Sequence, residues 1–144
     1  MSELRIERIY AVDATRLFAY LTEADYLVQW WGPEGATVTA ASLDLTRTGP
    51  WSITIETPRG PFEMTGEVRK VEPGRLVEFT MDVPGQHAPD STVRFEIAPD
   101  GPDRSRFTLV QSGITEEMVE MGKRGWGGTI ARLERVMGLA SALG

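Results

Sequence analysis

A chain of 144 residues, 41% hydrophobic and 25% charged, has the size and composition of an ordinary globular domain, since about 150 residues bury roughly two thirds of their unfolded surface; disordered and fibrous classes are excluded. The absence of cysteine excludes disulfide frameworks, thiolate zinc sites and thiol nucleophiles. Fifteen basic against twenty-one acidic residues give a net charge of −6, which disfavours nucleic acid and anionic membrane surfaces as partners.

No apolar run approaches the roughly 20 residues that span a bilayer, and Met1-Ser2-Glu3-Leu4-Arg5 lacks the basic and apolar regions of a secretory signal. The expectation is a cytoplasmic protein without membrane insertion, one domain over residues 1–144, as a monomer or a homodimer. In chain order, Leu4, Ile6, Arg8 and Tyr10 alternate with Arg5, Glu7 and Ile9, which predicts a half-buried first strand. Asp13 caps a short helix through Leu17, Phe18 and Leu21. Thr22-Glu23-Ala24-Asp25 reads as a capping box opening a second helix toward Trp30, ended by Gly32-Pro33.

From there the chain alternates β-rich runs with turn residues, which predicts about six antiparallel strands near 36–45, 50–57, 61–72, 75–83, 91–98 and 104–112. Trp51, Ile53 and Ile55 oppose Ser52, Thr54 and Glu56, and Val93, Phe95 and Ile97 oppose Thr92, Arg94 and Glu96, so one sheet face is apolar and one wet. An apolar face needs a cover. The C-terminal segment supplies one: Val119, Trp126, Ile130, Leu133, Met137 and Ala140 fall near one helical face, with Thr115 as cap and Glu116 and Glu117 against the helix dipole. Gly122, Gly125, Gly127 and Gly128 each weaken that helix by about 1 kcal/mol and allow a break within 122–128. They do not follow a strand, so they are no dinucleotide fingerprint, and no cofactor is expected. The whole reads as an α+β domain: a curved antiparallel sheet of about seven strands around a long C-terminal helix, with two short helices after strand 1.

Specific motifs carry a resemblance. Arg8 and Tyr10 followed by Trp30-Trp31-Gly32-Pro33, Asp44-Leu45 with Gly49 and Trp51, the run Gly66, Val71-Glu72-Pro73 and Arg75-Leu76-Val77, and Gly125-Trp126 with Leu133 are together similar to the landmarks of the AHSA-type branch (activator of heat-shock ATPase homologue-like) of the SRPBCC, START-like, birch-pollen-allergen-like superfamily. The likeness spans nearly the whole chain. It departs at Val12, where proline is common, at Thr46-Arg47-Thr48, and at Gln111, which stands where histidine is frequent. The resemblance implies a helix-grip fold with a cavity between sheet and long helix. Lipid and hormone carriers, polyketide aromatases and cyclases, and a chaperone activator share that fold, so the fold alone does not choose among them.

Trp30, Trp31, Trp51, Phe62 and Met64, with Phe79, Met81, Phe95 and Trp126, are the large apolar groups expected on the concave face, either as plain core or as cavity wall. Strand alternation puts Arg8 on the same face as Tyr10, where a charge must be paired or wet; it would anchor a ligand carboxylate or be neutralised by a neighbouring acid. Gln111 shares that face with Phe107 and Leu109 and offers a neutral hydrogen-bonding group. His87, the sole histidine, lies between Pro84 and Pro89, so no two-histidine metal site exists, and no serine or carboxylate pattern marks a catalytic residue. The reading is a binding protein for a small hydrophobic or amphipathic ligand. Two alternatives stand beside it: an enzyme of the cyclase, aromatase or lyase type, and a co-chaperone or regulatory partner using the exposed sheet or the Trp30-Trp31 pair, which would be a hot spot if exposed.

Overall fold

The structure, a computed structural model, describes residues 2–32, 35–82 and 91–139. The elements are β1 (Ser2–Tyr10), α1 (Ala14–Thr22), α2 (Ala24–Trp30), β2 (Thr37–Ser42), β3 (Gly49–Thr57), β4 (Gly60–Glu72), β5 (Leu76–Thr80), β6 (Thr92–Pro99), β7 (Ser105–Ile114) and α3 (Glu116–Met137). The seven strands form one antiparallel sheet in the order β1-β7-β6-β5-β4-β3-β2. Six strands thus follow one another as a meander, and β1 joins the end of it beside β7. The curved sheet wraps α3, and the α+β helix-grip expectation holds.

The short helices show where local pattern misled. The Asp13 side chain caps α1 by accepting the Arg16 N–H at 2.9 Å, as expected. Thr22, however, caps nothing: it is the last, fully buried residue of α1, and its hydroxyl donates to the Phe18 carbonyl one turn back at 2.6 Å. Its own carbonyl accepts the Leu45 N–H at 2.9 Å, so the segment after β2 holds the end of α1. Glu23 separates α1 from α2 without a side-chain cap.

α3 runs unbroken through its glycines, against the expected interruption. Thr115 accepts the Met118 N–H at 3.3 Å, and Gly138 ends the helix in the left-handed conformation at φ 69° with its N–H on the carbonyls of Arg135 and Glu134. Trp126, Ile130, Leu133 and Met137 bury the inner face and offset the weak propensity. Gly122 has a packing reason: a Cβ there would stand 2.6 Å from Leu4 Cδ2, so only glycine lets α3 lie this close to β1. Gly66 serves likewise in the sheet. It pairs with Trp51, and a Cβ would strike the Thr80 carbonyl oxygen at 1.9 Å and Trp51 Nε1 at 2.7 Å. The bare backbone lets the Trp51 indole cross β4 and donate to the Thr80 carbonyl at 3.0 Å.

Candidate functional site

The concave face is floored by aromatic rings. Trp30, Trp31, Trp51, Phe79, Phe95 and Trp126 are each at most 7% exposed. They come from α2 and the Trp31 that caps its end, three strands and α3. Trp31 is their hub, with ring centroids 5.7 Å from Trp51, 5.8 Å from Trp30, 6.2 Å from Trp126 and 6.3 Å from Phe79. Phe95 closes the circuit, 5.3 Å from Phe79 and 6.0 Å from Trp126, mostly edge to face, the arrangement that aromatic quadrupoles favour. These rings pack on one another as core. The Trp30-Trp31 pair is accordingly no surface hot spot: the two residues are 1% and 2% exposed. It is pinned from both sides, Trp30 Nε1 donating to the Tyr20 carbonyl at 2.8 Å and Arg132 of α3 donating to the carbonyls of Trp31 and Gly32 at 3.1 Å each.

Two polar groups interrupt the floor, at different ends. Leu4 pairs with Gln111 and Arg8 with Phe107, so Arg8 and Gln111 lie four residues apart along the β1–β7 ladder, about 13 Å at strand rise. At the first end Tyr10 donates its hydroxyl to Glu134 Oε2 at 2.7 Å, with Arg8 Nε 4.0 Å from the same oxygen and Arg8 Nη1 donating to the Glu7 carbonyl at 2.8 Å. Arg8 is therefore matched by an acid from α3. Burial first, then the hydrogen bond and charge of Glu134, raise the Tyr10 pKa far above its ordinary value, and Arg8 offsets this only in part. The phenol stays neutral.

At the second end Gln111, 4% exposed, sits in a chain: Trp126 Nε1 donates to its Oε1 at 2.9 Å, and its Nε2 donates to Ser91 Oγ at 2.7 Å. The chain ties α3, β7 and the start of β6 together. Half-buried apolar groups lie at the edge of the core, one of them, Met81, donating its N–H to the Ser91 carbonyl at 3.0 Å. Phe62 and Met64 of β4 pair with Ile55 and Ile53 and share their inner face, Met81 follows β5 beside the Thr65–Asp82 bridge, and Met118 and Val119 lie in the first turn of α3. All five pack against the core yet keep exposed surface, and Met121 beside them is 52% exposed.

Sequence reasoning named Gln111 but missed Ser91, Glu134 and Arg132, because each acts on a residue far off in the chain and none sits in a recognisable motif. His87 lies outside the described residues. Among the described residues no group of three or more His, Asp or Glu is placed to hold a metal ion, and no helix is long and apolar enough to cross a membrane.

Residues 11–138 match the family model described as Activator of Hsp90 ATPase homolog 1-like protein. Among solved structures, the AHSA1 protein of Silicibacter pomeroyi is 33% identical, with a TM-score of 0.85 over 95% of this chain and 98% of that one. A protein of Chromobacterium violaceum (18% identity, TM-score 0.80, 93% and 95% covered) and one of Nitrosomonas europaea (23%, 0.77, 94% and 93%) share the fold. No curated protein matches the chain.

Proposed function

The chain belongs to the Activator of Hsp90 ATPase homolog 1-like family, and from that premise we propose that it binds a small hydrophobic or amphipathic molecule at the open end of the grip. The observation that carries this reading is a set of half-buried apolar side chains at the edge of the core, Phe62, Met64, Met81, Met118 and Val119, with Met81 joined by its backbone to Ser91, the partner of the buried amide Gln111. Flexible, polarizable methionines adapt to apolar ligands of varied shape, and a single neutral amide gives such a ligand one polar anchor. The fully buried rings beneath serve as the floor. Arg8 is the weaker anchor, since Glu134 and the Glu7 carbonyl already occupy it.

The test is native mass spectrometry of the purified protein after incubation with a bacterial lipid extract. A stoichiometric adduct is expected, and Met64→Glu with Met81→Glu, which puts two charges on the partly exposed rim, should remove it while the melting temperature stays within a few degrees. An adduct that survives both substitutions, or no adduct with any lipid class, defeats the reading.

A further inference from the structure

The outer face of the sheet carries a second concavity. Its side chains fall in rows across the strands: Lys70, Glu78 and Arg94 in one, Glu72, Leu76, Glu96 and Thr108 in the next, then Ala98 opposite Arg106. Over these rows opens a groove of about 530 Å³, lined by the cations Lys70, Arg75, Arg94 and Arg106 and the carboxylates Glu72 and Glu96. Small-molecule sites span roughly 300–1,000 Å³, so the size fits. In a chain of net charge −6 an excess of cations here is a local reversal of sign.

Ion pairing does not cancel it. Glu72 is shared by Lys70, at 3.2 Å, and Arg75, and Glu7 is shared by Arg5 at 3.1 Å and Arg106 at 3.2 Å, so each of these two walls keeps one surplus positive charge. Arg94 between them is flanked by two carboxylates, Glu96 at 3.3 Å and Glu78 at 3.6 Å, which leaves one surplus negative charge there, so the surplus positive charge of the whole network is one and sits at its two walls. The Arg75 and Arg106 side chains are 71% and 44% exposed, and such open pairs are held by little energy. Arg75, whose carbonyl accepts the Ile97 N–H, heads β5, and Arg106 lies on β7, two strands away, or about 10 Å. Exposed Ala98 on the intervening strand raises only a methyl group between them, and Pro99 follows it in an apolar floor.

We propose that this outer groove binds a small organic molecule with an anionic group at each end, two phosphates or two carboxylates, which take Arg75 and Arg106 while its body crosses Ala98. Guanidinium forks match both anions in a bidentate geometry, and the surplus charge on the two walls sets the spacing of the pair. This site is separate from the rim on the inner face and does not depend on it.

The experiment is a backbone-amide NMR titration with fructose 1,6-bisphosphate and with adipate, the two arms separating phosphate from carboxylate, and glucose 6-phosphate as the single-ended control. Saturable shifts at Leu76, Ala98 and Thr108 are expected with at least one of the two-ended probes, at an affinity above that of the control. Arg75→Glu and Arg106→Glu should each weaken binding by at least about tenfold, the scale of one charge-assisted hydrogen bond. Ala98→Leu should fill the groove and do the same at an unchanged melting temperature, and Arg124→Glu, on exposed α3, should change nothing. The proposal is overturned by shifts that do not saturate, by equal affinity for the control, or by affinities that Arg75→Glu and Ala98→Leu leave intact.

Discussion

Two glycines in one helix separate packing from propensity. A Cβ on Gly125 meets nothing within 4 Å, whereas one on Gly122 meets Leu4, itself 1% exposed, at 2.6 Å. Gly125→Ala should therefore gain the helix preference of alanine, about 1 kcal/mol, and raise the urea midpoint. Gly122→Ala gains the same preference but overpacks the α3–β1 contact, at a cost of about 1–3 kcal/mol, so its midpoint should not rise and the two variants should differ clearly. Tyr10 gives a second test. Its pKa is raised in the folded state above the 10.0 of an exposed phenol, so above pH 10 the unfolded chain releases a proton that the folded one keeps. Stability is full below that pH and falls above it, by about 1.4 kcal/mol per pH unit for one proton. Tyr10→Phe should flatten this part of the pH–stability profile relative to the unsubstituted protein; parallel profiles would show that Tyr10 titrates normally.

At the scale of elements, the strands and α3 were legible because period-two and helical spacing report burial directly, and glycine or proline marked the turns. Boundaries failed where long-range contacts decide them. Residues 36–45 were expected to form one strand, yet β2 stops at Ser42 because Leu43 and Leu45 leave the ladder to bury at 3% and 0% exposure. Thr22 and Asp25 have the spacing of a capping box, but the Thr22 hydroxyl turns back to Phe18 once Leu45 docks on its carbonyl. The site shows the same limit: the Tyr10–Glu134 bond joins residues 124 apart, and nothing local announces it. Arg132 is the sharpest case, because it reaches from α3 to the end of α2 and donates to two carbonyls there. Arg132→Met keeps the aliphatic stem and removes both bonds, and should cost about 1–3 kcal/mol by urea unfolding. Both bonds leave one nitrogen, Nη1, so Arg132→Lys, whose ammonium can donate to both carbonyls but sits on a shorter side chain, should restore only part of it.

Across the whole molecule, burial is spread unevenly over the sheet. β6 and β7 lie inside the ladder, with Phe95, Phe107 and Leu109 at no more than 1% exposure and α1 packed over them. Among the described residues β2 is an edge strand paired only with β3, and five of its six residues are exposed. Its uncharged sequence Thr37-Val38-Thr39-Ala40-Ala41-Ser42 contributes little buried surface, and a register shift between Val38 and Ala40 interrupts its bonds. Opening β2 therefore exposes few apolar groups, whereas opening β7 breaks two ladders together with the Phe107–Phe95 and Gln111–Trp126 contacts. Local opening free energies follow such differences and reach the global value only in the core. Native-state hydrogen exchange should then show the amides of Phe95 and Leu109 exchanging only through global unfolding, and those of β2 exchanging by local opening with far lower protection. Equal protection in β2 and β7 would mean that the sheet opens as a single unit, and the rim on β4 would then have no freedom to move independently of the floor beneath it.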